Sequence, residues 1–201
     1  MTKQVHIELD SLAMPAMSTT TQVVTNDKVQ KLIWDEEAIQ VLHRLPFFRP
    51  IVLLTPAVSP MELTDDWKEV DPFEAMRHTL SSYHNTMHRH YNPSDGFEHK
   101  HGGLVAQAGA VIVVNCEDPS MEDQESEEYL DKQERFADVV VDEAENAASK
   151  LEGRVPVGLV TCGLKRESRV EKIEEFNFAV SCPDYSKKTL ERAATALMGK
   201  S

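Results

Sequence analysis

From Ile51 to Met198 the chain alternates short apolar runs with longer segments of helical periodicity. No other feature limits the fold as much. Ile51-Val52-Leu53-Leu54, closed by Thr55-Pro56, reads as a strand buried on both faces. Asp71-Pro72-Phe73-Glu74 supplies a capping acid, a proline suited to a first helical turn and a glutamate. Phe73, Met76, Leu80 and Tyr83 then recur at helical spacing, predicting a helix over 72–83. A polar strand at 85–91 and a helix of about 98–108 lead to Ala110-Val111-Ile112-Val113-Val114, the strongest strand signal. A long helix of roughly 122–150 carries Ala137, Val140, Val141, Ala144, Ala147, Ala148 and Leu151 on one stripe. A strand at 157–161, a short polar helix at 168–175 and a strand at 176–180 follow. Ser186 caps a last helix lined by Leu190, Ala193, Ala194, Leu197 and Met198 and stopped by Gly199. Upstream, Asp35 opens a helix over 35–45 that Pro46 ends. Residues 1–30 read as an N-terminal extension with one β-prone patch, Thr20 to Thr25.

Strands separated by amphipathic helices pair in parallel through right-handed crossovers, with helices on both faces of the sheet. The expected architecture for 31–201 is therefore a single α/β domain. It is a Rossmann-like three-layer αβα sandwich around a mainly parallel sheet of five to six strands. Ligands of such sheets bind at the carboxyl ends of the strands, near the reversal of strand order. No apolar run reaches the roughly 18–20 residues that cross a bilayer, and the first residues lack the basic start and apolar core of a signal peptide. Three cysteines are too few for a disulfide scaffold, and an odd count suits a reducing compartment. These features lead to the expectation of a cytoplasmic protein without a membrane partner. The net charge of −13 opposes nucleic-acid binding. Residues 117–152 account for eleven of those charges, so the acidity belongs to one helix rather than to the whole surface.

The phosphate-cradling glycine motifs, the nucleophile elbow, the redox C-x-x-C pair and the H-E-x-x-H zinc helix are all absent. Nucleotide, α/β-hydrolase and thioredoxin chemistries therefore lose their usual signatures, and no cofactor is expected from them. What remains is a concentration of histidine: six of eight lie at 78, 84, 88, 90, 99 and 101. His88 and His90 share a strand face, and His99 and His101 follow on the next loop or first turn. Together they are candidate transition-metal ligands, since neutral imidazole binds zinc, copper or nickel. The polar neighbours Asn85, Arg89, Asn92 and Lys100 equally fit a solvated surface. Cys116, Cys162 and Cys182 each fall at the end of a predicted strand. With Thr55 and Asn115 they form the candidate ligand-binding set, while the alternative for the cysteines is apolar filling of the core.

The segments IVLLTPAVSP, VDPFEAMRHTL, AQAGAVIVVNCED, KQERFADVVVDEAE, VPVGLVTCGL and FNFAVSCPDYSKKTLERAATALMG occur in an order that resembles a known domain. It is the C-terminal αβ-sandwich domain of glycoside hydrolase family three, especially of its β-N-acetylhexosaminidase branch. The resemblance covers about residues 20–199 and departs from the family pattern at Met76-Arg77-His78 and at Met198. In that branch both the nucleophile and the acid/base lie on a separate barrel domain, so the resemblance passes no catalytic residue to this chain. It implies a stand-alone accessory domain, non-catalytic by itself. Such a domain would bind a small molecule or carbohydrate, or pair with a catalytic barrel domain or with itself. The competing expectation is a small enzyme or metal-binding protein built on the histidines between 88 and 101 and the strand-end cysteines.

Overall fold

The computed structural model describes residues 29–58, 71–117, 121–151, 153–163 and 173–199. Six strands form one sheet: β1 (Gln30–Trp34), β2 (Ile51–Pro56), β3 (Thr86–Tyr91), β4 (Ala110–Cys116), β5 (Val157–Cys162) and β6 (Phe178–Cys182), in the order β1-β6-β5-β4-β2-β3. Every neighbouring pair from β3 to β6 is parallel, and β1 alone runs antiparallel, against β6. Among the described residues are five α-helices, α1 (Glu36–His43), α2 (Glu74–Ser81), α3 (His99–Gln107), α4 (Asp123–Leu151) and α5 (Lys187–Leu197); the first four join successive strands and α5 follows β6. Counted from β2, the parallel block follows the doubly wound order 2-1-3-4-5. Its strand order reverses between β2 and β4.

The period of two along each strand divides the core into two layers. Ile51, Leu53, Ile112, Val114 and Val160 face α1, α2 and α5, where Leu42, Met76, Leu80 and Leu190 cover them. Val52, Leu54, Val111, Val113 and Leu159 face the other way, against Val105 of α3 and Phe136, Val140 and Ala144 of α4. Strands buried on both faces have no polar alternation, which is why β2, β4 and β5 read as continuous apolar runs.

Several boundaries move. Asp35 does cap α1, its Oδ1 accepting from the Glu37 and Ala38 amides at 3.0 and 3.2 Å. The last strand starts at Phe178 instead of 176, because Asn177 is used as a clamp. Its amide donates to Val157 O, its Oδ1 accepts from Val157 N, and its carbonyl accepts from Asp35 N. Of the polar helix expected at 168–175, residues Ile173–Glu175 form a 3₁₀ turn and the rest lies outside the described residues. The patch from Thr20 to Thr25 also lies outside them. β1 leaves no regular period in the sequence. Its register breaks between Lys31 and Ile33 in a bulge at Leu32, so Leu32 and Ile33 pack into the same layer and the alternation is lost.

Candidate functional site at the reversal of strand order

The carboxyl ends of β2 and β4, where the strand order reverses, are built from polar side chains that the core encloses. Thr55 on β2 is fully buried. Its Oγ1 lies 2.8 Å from His88 Nε2 and 3.0 Å from His90 Nδ1, both on the neighbouring edge strand β3. The parallel register sets Leu53 beside His88 and Thr55 beside His90, so one hydroxyl reaches both rings, whose centroids are 4.6 Å apart. The opposite nitrogens, His88 Nδ1 and His90 Nε2, each lie 3.4 Å from Asp71 Oδ2. Asp71 is fixed by its other oxygen, which accepts the Phe73 amide at 2.9 Å ahead of α2. Glu74, on the first turn of α2, places Oε2 3.9 Å from His88 Nδ1 and is itself bonded to Arg77. That bond holds the Glu74 carboxyl below its ordinary pKa. Burial, ahead of the opposing pull of Asp71, lowers the pKa of His88.

On the other face of the sheet, Tyr91 stacks on Phe136 with centroids 3.8 Å apart. Its hydroxyl donates to Val114 O at 2.9 Å and lies 3.3 Å from Asn115 Oδ1. Burial pushes its phenol well above the usual tyrosine range. Gln133 of α4, also fully buried, spans the last residue of β4 with its amide. Nε2 donates to Cys116 O at 2.8 Å and Oε1 accepts Cys116 N at 2.9 Å. On the β2 side, where pairing stops at Val113, the Gln133 amide thus takes the place of a strand partner for the end of β4.

Cys116, Cys162 and Cys182 stand in register across β4, β5 and β6 and form a single buried row at the carboxyl end of the sheet. They share the layer of Tyr185 and Leu190. A hydrogen bond to Cys182, and then burial, raises the Cys162 thiol well above its ordinary range. Thr55 and the cysteine row lie on one face, and Asn115 packs against the other.

The sheet also divides the four histidines read as metal ligands. His88 and His90 converge with Asp71, whereas His99 and His101 lie on α3 across the sheet. His101 serves its own helix: Nδ1 accepts the Glu98 amide at 2.9 Å while the Glu98 side chain bonds back to the first turn. Its ring packs edge-on to Phe136, and burial lowers its pKa. In the sequence Asp71 reads only as a helix cap, with Glu74 as its companion. Gln133 and Tyr91 carried no signal. A carboxylate followed by H-x-H on the next strand was the one pattern that could have joined them.

No family model matches the chain, and a search of curated proteins finds no match. Similar solved structures exist. One is part of a glycoside hydrolase family 3 β-N-acetylglucosaminidase from Paenibacillus sp. str. FPU-7, at 14% identity and TM-score 0.53, over 95% of this chain and 34% of that one. Another is part of a fungal multi-domain family 3 β-N-acetylglucosaminidase with a GCN5-related glucosamine N-acetyltransferase region, at 16% identity and TM-score 0.52, over 85% and 16%. A third is part of the Listeria innocua β-glucosidase in complex with gluconolactone, at 14% identity and TM-score 0.55, over 85% and 23%. The chain spans about a third or less of the length of these structures. The fold is that of a segment found within larger family 3 glycoside hydrolase chains, in agreement with the resemblance read from the sequence.

Proposed function

We propose that the chain acts as an accessory α/β domain of the family 3 glycoside hydrolase type, without catalytic residues of its own. It binds a small carbohydrate at the carboxyl ends of β2 and β4 and pairs with a separate catalytic barrel. The observation that supports this most is one of proportion. Some 85–95% of the chain overlays on only 16–34% of solved glycosidase chains, so the fold recurs there as one part of a larger protein. The reversal between β2 and β4 adds a physical reason, because helices leaving adjacent strands in opposite directions open a crevice there. Thr55 and Asn115 stand near the ends of these two strands, and the cysteine row runs from Cys116 on to β5 and β6.

Two measurements on the purified chain test the reading. Incubation with p-nitrophenyl β-N-acetylglucosaminide and p-nitrophenyl β-glucoside is expected to give no turnover. Titration of ¹⁵N-labelled protein with N-acetylglucosamine and with glucose is expected to give saturable amide shifts confined to 55–58 and 115–117. Hydrolysis of either substrate, or shifts absent at millimolar sugar, would overturn it.

A further inference from the structure

The hydroxyl of Thr55 has one proton, so it can donate to only one of the two imidazoles within its reach. At least one ring must therefore donate to Thr55. When neutral, that ring turns a bare nitrogen toward Asp71 Oδ2, 3.4 Å away. A lone pair facing a carboxylate at that distance is repulsive, and the side chains hold it there. Asp71 is fixed by the Phe73 amide, His88 is nearly enclosed at 7% side-chain exposure, and Thr55 is fully buried. A cation between the three donors turns the repulsion into ligation. Both rings can then donate to the two lone pairs of Thr55 and present Nδ1 of His88 and Nε2 of His90 as bare ligands.

From this geometry we infer that Asp71, His88 and His90 form a site for a divalent transition metal of the zinc type, with Thr55 as the outer-shell anchor that sets both tautomers. The distances fit. Zinc bonds of roughly 2.0–2.2 Å give donor–donor edges of about 3.3–3.6 Å in a tetrahedron. The two edges to Asp71 are 3.4 Å, and all three donor atoms lie within 4.8 Å of one another. Two imidazoles and one carboxylate suit zinc, cobalt or iron(II) over magnesium or calcium. His90, half exposed, leaves the site open on one side for entry and for a water or an external ligand. The site does not depend on any tie to a glycosidase barrel.

The test uses the full chain, stripped with chelator and dialysed against zinc chloride, with metal measured by mass spectrometry. A single zinc ion per chain is expected, along with cobalt(II) visible bands of a low-coordinate N,O site and shifts of the His88 and His90 ring protons. His90→Gln alters a half-exposed side chain and Asp71→Asn is isosteric. Each is expected to weaken zinc by more than tenfold, and Thr55→Val by about 10–100-fold, the usual cost of an outer-shell partner. His99→Gln, across the sheet, leaves affinity unchanged. Wild-type chain without stoichiometric zinc at 100 μM overturns the site, as does a doubly protonated ring in place of metal at pH 7. Retention of zinc by both His90→Gln and Asp71→Asn overturns it too. The ring-proton shifts of the wild type decide the matter if either variant fails to fold.

Discussion

Substituting Gly158 probes how β5, β6 and β1 lock together. In register across the sheet, Gly158 pairs with Phe178, and Phe178 pairs with Trp34. The Phe178 ring is fully buried and occupies the space a Gly158 side chain would need. An added Cβ would sit 1.7 Å from Phe178 Cε2 and 2.4 Å from two further ring carbons. These are well inside contact distance, and the ring cannot swing away because Trp34 packs against it at 6.5 Å between centroids. Gly158 is not among the positive-φ glycines, so its backbone accepts alanine and the cost is purely steric. Overpacking of this kind costs about 1–3 kcal/mol, and the depth of the overlap puts Gly158→Ala at the upper end. For a chain of this size that lowers Tm by about 6–12 °C at ~2–4 °C per kcal/mol. Urea unfolding followed by Trp34 fluorescence, in a Trp67→Phe background, measures it. Phe178→Leu destabilises alone by removing buried ring carbons. Combined with Gly158→Ala it is expected to recover part of the loss, with an interaction energy of about 0.5–3 kcal/mol. Gly158→Ala at wild-type stability, or strictly additive costs, would refute the interlock.

Two further outcomes follow from the site. The folded chain holds His88 neutral more firmly than the unfolded chain does, so its protons are taken up preferentially on unfolding. In chelator, stability is therefore expected to be full above the ordinary value of 6.5 and to fall as pH drops through the lowered one. His101 adds in the same sense, so His88→Gln should flatten the urea midpoint between pH 7.5 and 5.5 only in part, and an unchanged profile would count against the burial argument. All three cysteines should resist a thiol-reactive dye in the native chain and react only after guanidinium denaturation. Rapid labelling of one native thiol would instead restore a nucleophilic role for the row.

Much of the fold was legible because parallel strands covered on both sides need uninterrupted Val, Ile and Leu, and the crossovers need amphipathic helices. β2, β4, β5 and α5 show this directly. β1 was not legible, since a bulge at Leu32 erases the period that would reveal it. The site was half legible. His88 and His90 could be paired because they lie two apart on one strand. Whether His99 and His101 join them depends on which side of the sheet α3 packs, and it packs on the other. Asp71 was seen only as a cap, because one carboxylate does two jobs with its two oxygens. The row of cysteines follows from register, which pairs strands across long stretches of sequence and leaves no local trace.

The reversed direction of β1 has a consequence for how the molecule is wired. The parallel strands all climb toward the rim that holds Thr55 and the cysteine row. β1 descends from it, entering at Gln30 beside Ser181. Polypeptide ahead of Gln30 is therefore handed over at that same rim, at the β6 edge. A neighbour tethered through this entrance would start out on the same rim as the ends of β2 and β4, with β6, β5 and β4 between them, instead of at the far end of the sheet.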